Sequence, residues 1–226
     1  MSEPSVNPVA SSVLRVVALD KRFRAAGESI DVLSGLNLQL AAGQTLALMG
    51  PSGSGKSTLL NIISGLESWD QGQVELFGQL LPPGDRQWTD LRRRAIATVF
   101  QEANLMPALS LADNVRLRAS LAGQPRPDVG GWLERLGLSG LAERFPDQVS
   151  GGQRQRVALA MAFAMKPQLI LADEPTGSLD RHTAEQVADT LFRFRQQTGC
   201  PMILATHDPT LAARCDQTFT RDMWQP

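Results

Sequence analysis

The residues Gly50-Pro51-Ser52-Gly53-Ser54-Gly55-Lys56-Ser57 match the spacing GxxxxGK[ST] at every fixed position. Glycines let a backbone curl close around phosphate oxygens with its N–H groups pointing inward, and a helix beginning where the loop ends adds a positive dipole end. In such a loop Lys56 is a point charge for the β- and γ-phosphates, Ser57 brings a hydroxyl to a Mg²⁺ ion, and Thr58 contacts phosphate. The chain has only three lysines, Lys21, Lys56 and Lys166, against nineteen arginines, so a lysine at this place is not background. Farther on, Leu169-Ile170-Leu171-Ala172 runs into the acidic pair Asp173-Glu174. Neighbours on a strand point to opposite faces. Asp173 is therefore assigned to the Mg²⁺ shell and Glu174 to the attacking water, as general base or positioning group. Alone, such a pair is more often a solvated turn or a helix cap; behind a phosphate loop it reads as chemistry.

These groups need elements to hold them. Thr45–Met49 reads as a buried strand that feeds the glycines, and Ser57–Ser64 as the helix that follows. Before them, Val13–Leu19 and Ile30–Leu40 read as antiparallel strands joined by the polar link Arg24–Glu28. Val74–Phe77 and Ile96–Phe100 are further strands, with a polar helical piece at Trp88–Arg94. From Leu111 to Arg144 leucines recur at helical spacing, broken by Gly123–Pro127 and by Gly130-Gly131, which predicts a helical lobe. Then come a helix at Gln153–Met165, the strand Leu169–Ala172, a helix at Thr183–Thr198 and the strand Met202–Ala205. Strands alternating with helices predict a parallel sheet.

Between the loop and the acidic pair lies Val149-Ser150-Gly151-Gly152-Gln153. By residue type, serine there is an ordinary helix N-cap, while the exposed N–H groups of such a tip also receive anions. With Val149 in place of leucine, the run resembles the signature of the ABC (ATP-binding cassette) ATPases. Other elements follow in that family's order. Phe23 falls at the aromatic adenine-stacking position, where the family more often has tyrosine. Gln101 ends a strand at the entrance to the lobe, Ser178-Leu179-Asp180 matches the D-loop, and His207 matches the switch histidine. His207 also follows a strand of the parallel sheet, whose carboxyl edge is where such sheets bind ligands. Met161 departs from the arginine many relatives carry.

The resemblance covers about residues 14–220 and implies an α/β fold of the P-loop NTPase type, an ABC cassette. It has a parallel core sheet, an N-terminal antiparallel β subdomain and an inserted helical subdomain at about 102–160. The cassette would be one domain over residues 13–226, preceded by a disordered tail at 1–12 and ending shorter than many relatives. The resemblance further implies ATP and Mg²⁺ as ligands. Ser57, Gln101 and Asp173 would hold the metal, and Glu174, His207, Lys56 and Gln101 would serve catalysis. The Ser150–Gln153 tip would face the γ-phosphate held by a second cassette, so that two chains sandwich two ATP molecules. Ala172–Asp180 and the Gln101 loop with Asn104-Leu105-Met106-Pro107 are similar to the lipoprotein-releasing and macrolide-exporter branch, and Leu211–Asp216 to its YbbA type. The implied partner is a separate membrane permease, with the cassette peripheral at the cytoplasmic face of the inner membrane.

Composition agrees with that class. A formal net charge of −1 calls for no nucleic acid or anionic lipid. The longest apolar run, Val157–Met165, has nine residues, against about 20 for a membrane span. Cys200 and Cys215 lack metal or redox spacing and read as reduced thiols. A soluble ABC ATPase acting on nucleic acid or ribosomes is the alternative; long coiled coils, tandem cassettes or basic tails would favour it, and the sequence shows none of them. A phosphate-loop kinase would leave Ser150–Gln153 without a role.

Overall fold

The structure, a computed structural model, describes residues 12–25 and 28–220. The tail expected at 1–12 lies outside them except Ser12, which already belongs to the first strand.

Two sheets organise the chain. Strands β1 (Ser12–Ala25), β2 (Glu28–Ala41), β4 (Gln71–Leu76) and β5 (Gln79–Leu81) form an antiparallel sheet in the order β2-β1-β4-β5. Strands β3 (Thr45–Met49), β6 (Ile96–Val99), β7 (Leu169–Asp173), β8 (Met202–Thr206) and β9 (Gln217–Thr220) form a second sheet in the order β6-β7-β8-β3-β9, parallel at every pairing. The helices are α1 (Lys56–Ile63), α2 (Gln87–Arg94), α3 (Leu111–Leu121), α4 (Val129–Arg135), α5 (Gly151–Ala164), α6 (Arg181–Thr198) and the short α7 (Pro209–Ala212).

The parallel sheet is apolar on both faces, as a sheet covered on both sides must be. Along β7, Leu169 and Leu171 join one core with the antiparallel sheet and α1, whereas Ile170 and Ala172 join another with α3, α4, α5 and α6. A one-residue slip would expose no apolar side chain, so hydrophobic alternation alone does not set this register. The acidic pair at the strand's end does set it, because a slip inward would bury carboxylates at several kcal/mol each.

Local chemistry explains the helix starts. Ser110 caps α3 by accepting the Asp113 N–H, Asp180 caps α6 by accepting the Thr183 N–H, and Asp128 caps α4 by accepting the Gly131 N–H at 2.9 Å. The last bond corrects one expectation. Gly130 and Gly131 do not break the lobe; they sit in the first turn of α4, where the cap offsets the glycines' conformational cost. Gly65 is required where it is. Its φ is +68°, and a Cβ there would come within 2.4 Å of the Trp88 ring. That indole is 1% exposed and donates its N–H to the Pro82 carbonyl.

Candidate nucleotide site

The carboxyl edge of the parallel sheet gathers the predicted groups from separate strands. The phosphate loop follows β3, Gln101 follows β6 by two residues, Glu174 follows β7 and His207 follows β8. Gly53 and Gly55 hold φ of +78° and +93°, a backbone open to glycine and costly to others. A Cβ on Gly55 would also meet the Val32 side chain at 2.9 Å and its carbonyl at 3.2 Å, so β2 braces the loop from behind. Helix α1 begins at Lys56 with no side-chain cap and no acidic residue in its first turn. Its leading N–H groups are thus not claimed by a cap.

Lys56 is 6% exposed, and its ammonium donates to the carbonyls of Gly50 and Pro51 at 2.7 and 3.1 Å. It also lies 3.6 Å from the Glu174 carboxylate. The other Glu174 oxygen meets His207 Nδ1 at 2.9 Å. One carboxylate therefore bridges the lysine and the histidine. Strand alternation was expected to separate Asp173 from Glu174, and the structure does this differently: β7 ends at Asp173 and Glu174 turns out with φ of +45°. Its N–H still donates to the Ala205 carbonyl, so the turn begins while the residue is tied to β8. A left-handed glutamate costs about 1–3 kcal/mol, a strain typical of sites where chemistry fixes a side chain's direction.

Asp173 points elsewhere. Burial raises its pKa, a hydrogen bond from Ser57 pulls it down, Glu174 raises it and Lys56 lowers it. Its Oδ1 is buried with no hydrogen-bond partner among the described residues. A buried carboxylate oxygen beside a hydroxyl at a helix start suits a hard divalent cation that also binds phosphate oxygens and water. Ser52 and Ser57 are exposed, and Thr58 is half-buried.

Other predicted residues lie around this cluster rather than in it. Gln101 is exposed and rests against Gly177, where a Cβ would come 3.2 Å from its amide nitrogen. Ser150 caps α5 with a reciprocal box: it accepts the Gln153 N–H at 3.2 Å while Gln153 accepts the Ser150 N–H at 2.9 Å. These bonds are local, and Ser150 and Gly151 stand exposed. Gly152 packs on α6, where a Cβ would strike Thr183 at 2.3 Å. Phe23 is 38% exposed, opposite Ile30 across the β1–β2 pairing, and Lys21 sits 4.6 Å from its ring centre.

Sequence reasoning missed several contributors. Gln155 is buried in α5 and donates to the Phe100 carbonyl; its place four residues before Leu159 and eight before Phe163, on the apolar face, was the available signal. Glu67, which holds Lys21 beside Phe23, carried none.

A strand-borne phosphate loop whose lysine meets a carboxylate that a histidine also holds, at a parallel sheet's carboxyl edge, defines a phosphate-loop ATPase. The profile of the ABC transporter family matches residues 33–177, and the chain belongs to that family. It is an ATP-binding, ATP-hydrolysing cassette of the ABC transporter type. Over 213 residues it is 42% identical to the ABC transporter ATP-binding protein YbbA of Escherichia coli K12, covering 92% of this chain and 93% of the relative. It is 43% identical over 209 residues to the lipoprotein-releasing system ATP-binding protein LolD of Paramagnetospirillum magneticum, covering 90% and 92%. The fold matches the dimeric ATP-binding cassette MJ0796 bound to ADP and Pi, with TM-score 0.84, 33% identity, and 92% and 93% of the two chains covered. It also matches cbiO1 of Clostridium perfringens, part of the transporter complex cbiONQ, with TM-score 0.78, 26% identity, and 92% and 84% covered. No helix among the described residues is long and apolar enough to cross a membrane.

Proposed function

We propose that two copies of this chain clasp two ATP·Mg²⁺ between them and drive a separate membrane permease, in the manner of a lipoprotein-releasing, exporting or mechanically coupled system. The observation that carries this reading is the split of the machinery. Lys56, Glu174 and His207 converge at one end of the parallel sheet, while the tip at Ser150 and Gly151 keeps its hydrogen bonds to itself and faces outward. A helix tip of this kind is a ready anion site, and a second chain's γ-phosphate is its fitting ligand. The dimeric form of MJ0796 supports the pairing, and the LolD and cbiONQ names support a membrane partner. The cassette would sit peripherally at the cytoplasmic face of the inner membrane.

Within each site the Gly50–Gly55 backbone and Lys56 would hold the phosphates, and Phe23 with Ile30 would give adenine an apolar platform. Ser57 and Asp173, with Gln101, would hold Mg²⁺, whose contribution is to neutralise charge on the β- and γ-phosphates. Glu174, aimed by its left-handed backbone and held by His207 Nδ1, would orient the attacking water and take its proton. The same contact leaves His207 Nε2, on the far side of an exposed ring, to meet the γ-phosphate. Size measurement of Glu174→Gln with ATP and Mg²⁺ tests the pairing: we expect ATP-dependent dimers that vanish when Ser150→Arg is added. Dimers that persist with that second change would remove the tip from the site.

A further inference from the structure

Beyond the end of β6 at Val99, the chain presents two consecutive carbonyls that are taken by side chains of two different motifs. The Phe100 carbonyl accepts the Gln155 amide at 2.8 Å, across 55 residues, and the Gln101 carbonyl accepts the Ser178 hydroxyl at 3.3 Å, across 77. Gln155 belongs to α5, the helix whose tip is Ser150, and is 2% exposed. Ser178 opens the D-loop, beside Gly177, whose missing side chain leaves room for the Gln101 amide.

We propose that Gln155 and Ser178 are positioning residues that grip the adjacent carbonyls of Phe100 and Gln101 and tie the reading of one ATP to the placement of the Ser150 tip that meets the other. The proposal rests on the paired-cassette reading above and adds the link between its two sites. A buried amide on an apolar helix face is costly unless bonded, and a hydrocarbon of the same size would fill the space more cheaply. Packing therefore does not explain Gln155; its bond to the loop does. Gln155 lies five residues from Ser150, about 7.5 Å along the helix axis. At that distance a shift of the Gln101 backbone reaches the tip through one turn and a half of rigid helix. On the other side, Ser178 stands two residues before Asp180, the cap of α6. The D-loop therefore follows the adjacent peptide of the same loop.

The test uses the full chain with Gln155→Met, which keeps length and loses the donor, and with Ser178→Ala. Three quantities are measured: affinity for a fluorescent ATP analogue, ATP dependence of turnover, and thermal midpoint. We expect affinity within about twofold of the unaltered chain, turnover lower by about tenfold for Gln155→Met as the Phe100 carbonyl loses its tie to α5, equivalent to about 1.4 kcal/mol, and a Hill coefficient falling toward 1. The double variant should lose less than the product of the singles, because the two side chains hold the adjacent peptides on either side of Gln101. Turnover falling in step with the thermal midpoint at an unchanged Hill coefficient would overturn the proposal, as would normal turnover in both variants. Ser178→Ala alters an exposed loop and carries the test if Gln155→Met does not fold. Ser150→Arg in the same assay separates the two claims. If it leaves cooperativity intact, the paired reading is what has failed; if it abolishes cooperativity and Gln155→Met does not, only the link has.

Discussion

Replacing Glu174 by glutamine keeps the side chain's shape and removes one negative charge 3.6 Å from Lys56. The two side chains are 6% and 17% exposed, so solvent screens them little. At that distance and an effective dielectric of about 20, opposite unit charges attract by about 5 kcal/mol before desolvation is subtracted. Desolvation offsets most of it. In the proposed site what remains opposes ATP, because the γ-phosphate would need the same ammonium and be repelled by the same carboxylate. We therefore expect Glu174→Gln to bind ATP about tenfold more tightly, a gain of about 1.4 kcal/mol. Loss of the group proposed to take the water's proton should lower turnover by about 10²- to 10⁴-fold, or about 3–5.5 kcal/mol of barrier. Titration with a fluorescent ATP analogue measures the first effect and phosphate release the second, on the same preparation. Turnover within threefold of the unaltered chain would refute the role of Glu174. Unchanged affinity with lost turnover would refute the competition for Lys56 alone.

Asp173→Asn should stabilise the nucleotide-free chain at pH 7.5 by about 0.5–2 kcal/mol while abolishing Mg²⁺-dependent turnover. Burial raises the Asp173 pKa, so its contribution to stability is present below the ordinary carboxylate pKa and is lost as pH rises through the folded value; above that value it weighs against the fold. Thermal melts at pH 7.5 and pH 4 check the sign, the gain being smaller at the lower pH. Gly65→Ala combines an unfavourable φ with a collision at Trp88 and should cost about 3 kcal/mol, roughly 6–12 °C in thermal midpoint by circular dichroism. Burial pushes the Cys200 thiol up to about 12 and Cys215 up to about 11. The native chain should therefore resist iodoacetamide at pH 8, and mass spectrometry should find both thiols labelled only in denaturant.

Elements whose residues carry both a pattern and a boundary were legible in the sequence. Strand β3 was read at Thr45–Met49 and found there, because an apolar run stops at a glycine. Strands β7 and β8 end one residue later than read, since Asp173 and Thr206 still pair in the ladder. The strand β5 was invisible: three residues, Gln79–Leu81, give no alternation to count, and they form a strand because β4 offers them an edge. The same holds for β9, whose Gln217–Thr220 run is polar and is recruited by β3. The phosphate loop could be read because each fixed residue has one job. The separation of Asp173 from Glu174 was inferred from strand geometry, whereas a single left-handed turn makes it. Nothing in a residue's type announces a positive φ when that residue is glutamate. Gln155 shows the converse: its place on the apolar face was readable, but its partner 55 residues away was not.

The backbone at Glu174 carries one more consequence, for variation in this chain. Glycine, asparagine and aspartate tolerate a φ of +45° better than glutamate does. A lineage no longer selected for hydrolysis could drift toward one of these residues and gain thermal resistance on the way. On the role proposed for Glu174, a lineage still hydrolysing ATP keeps the awkward residue. Among homologous sequences, the identity of this one amino acid should sort working engines from retired ones.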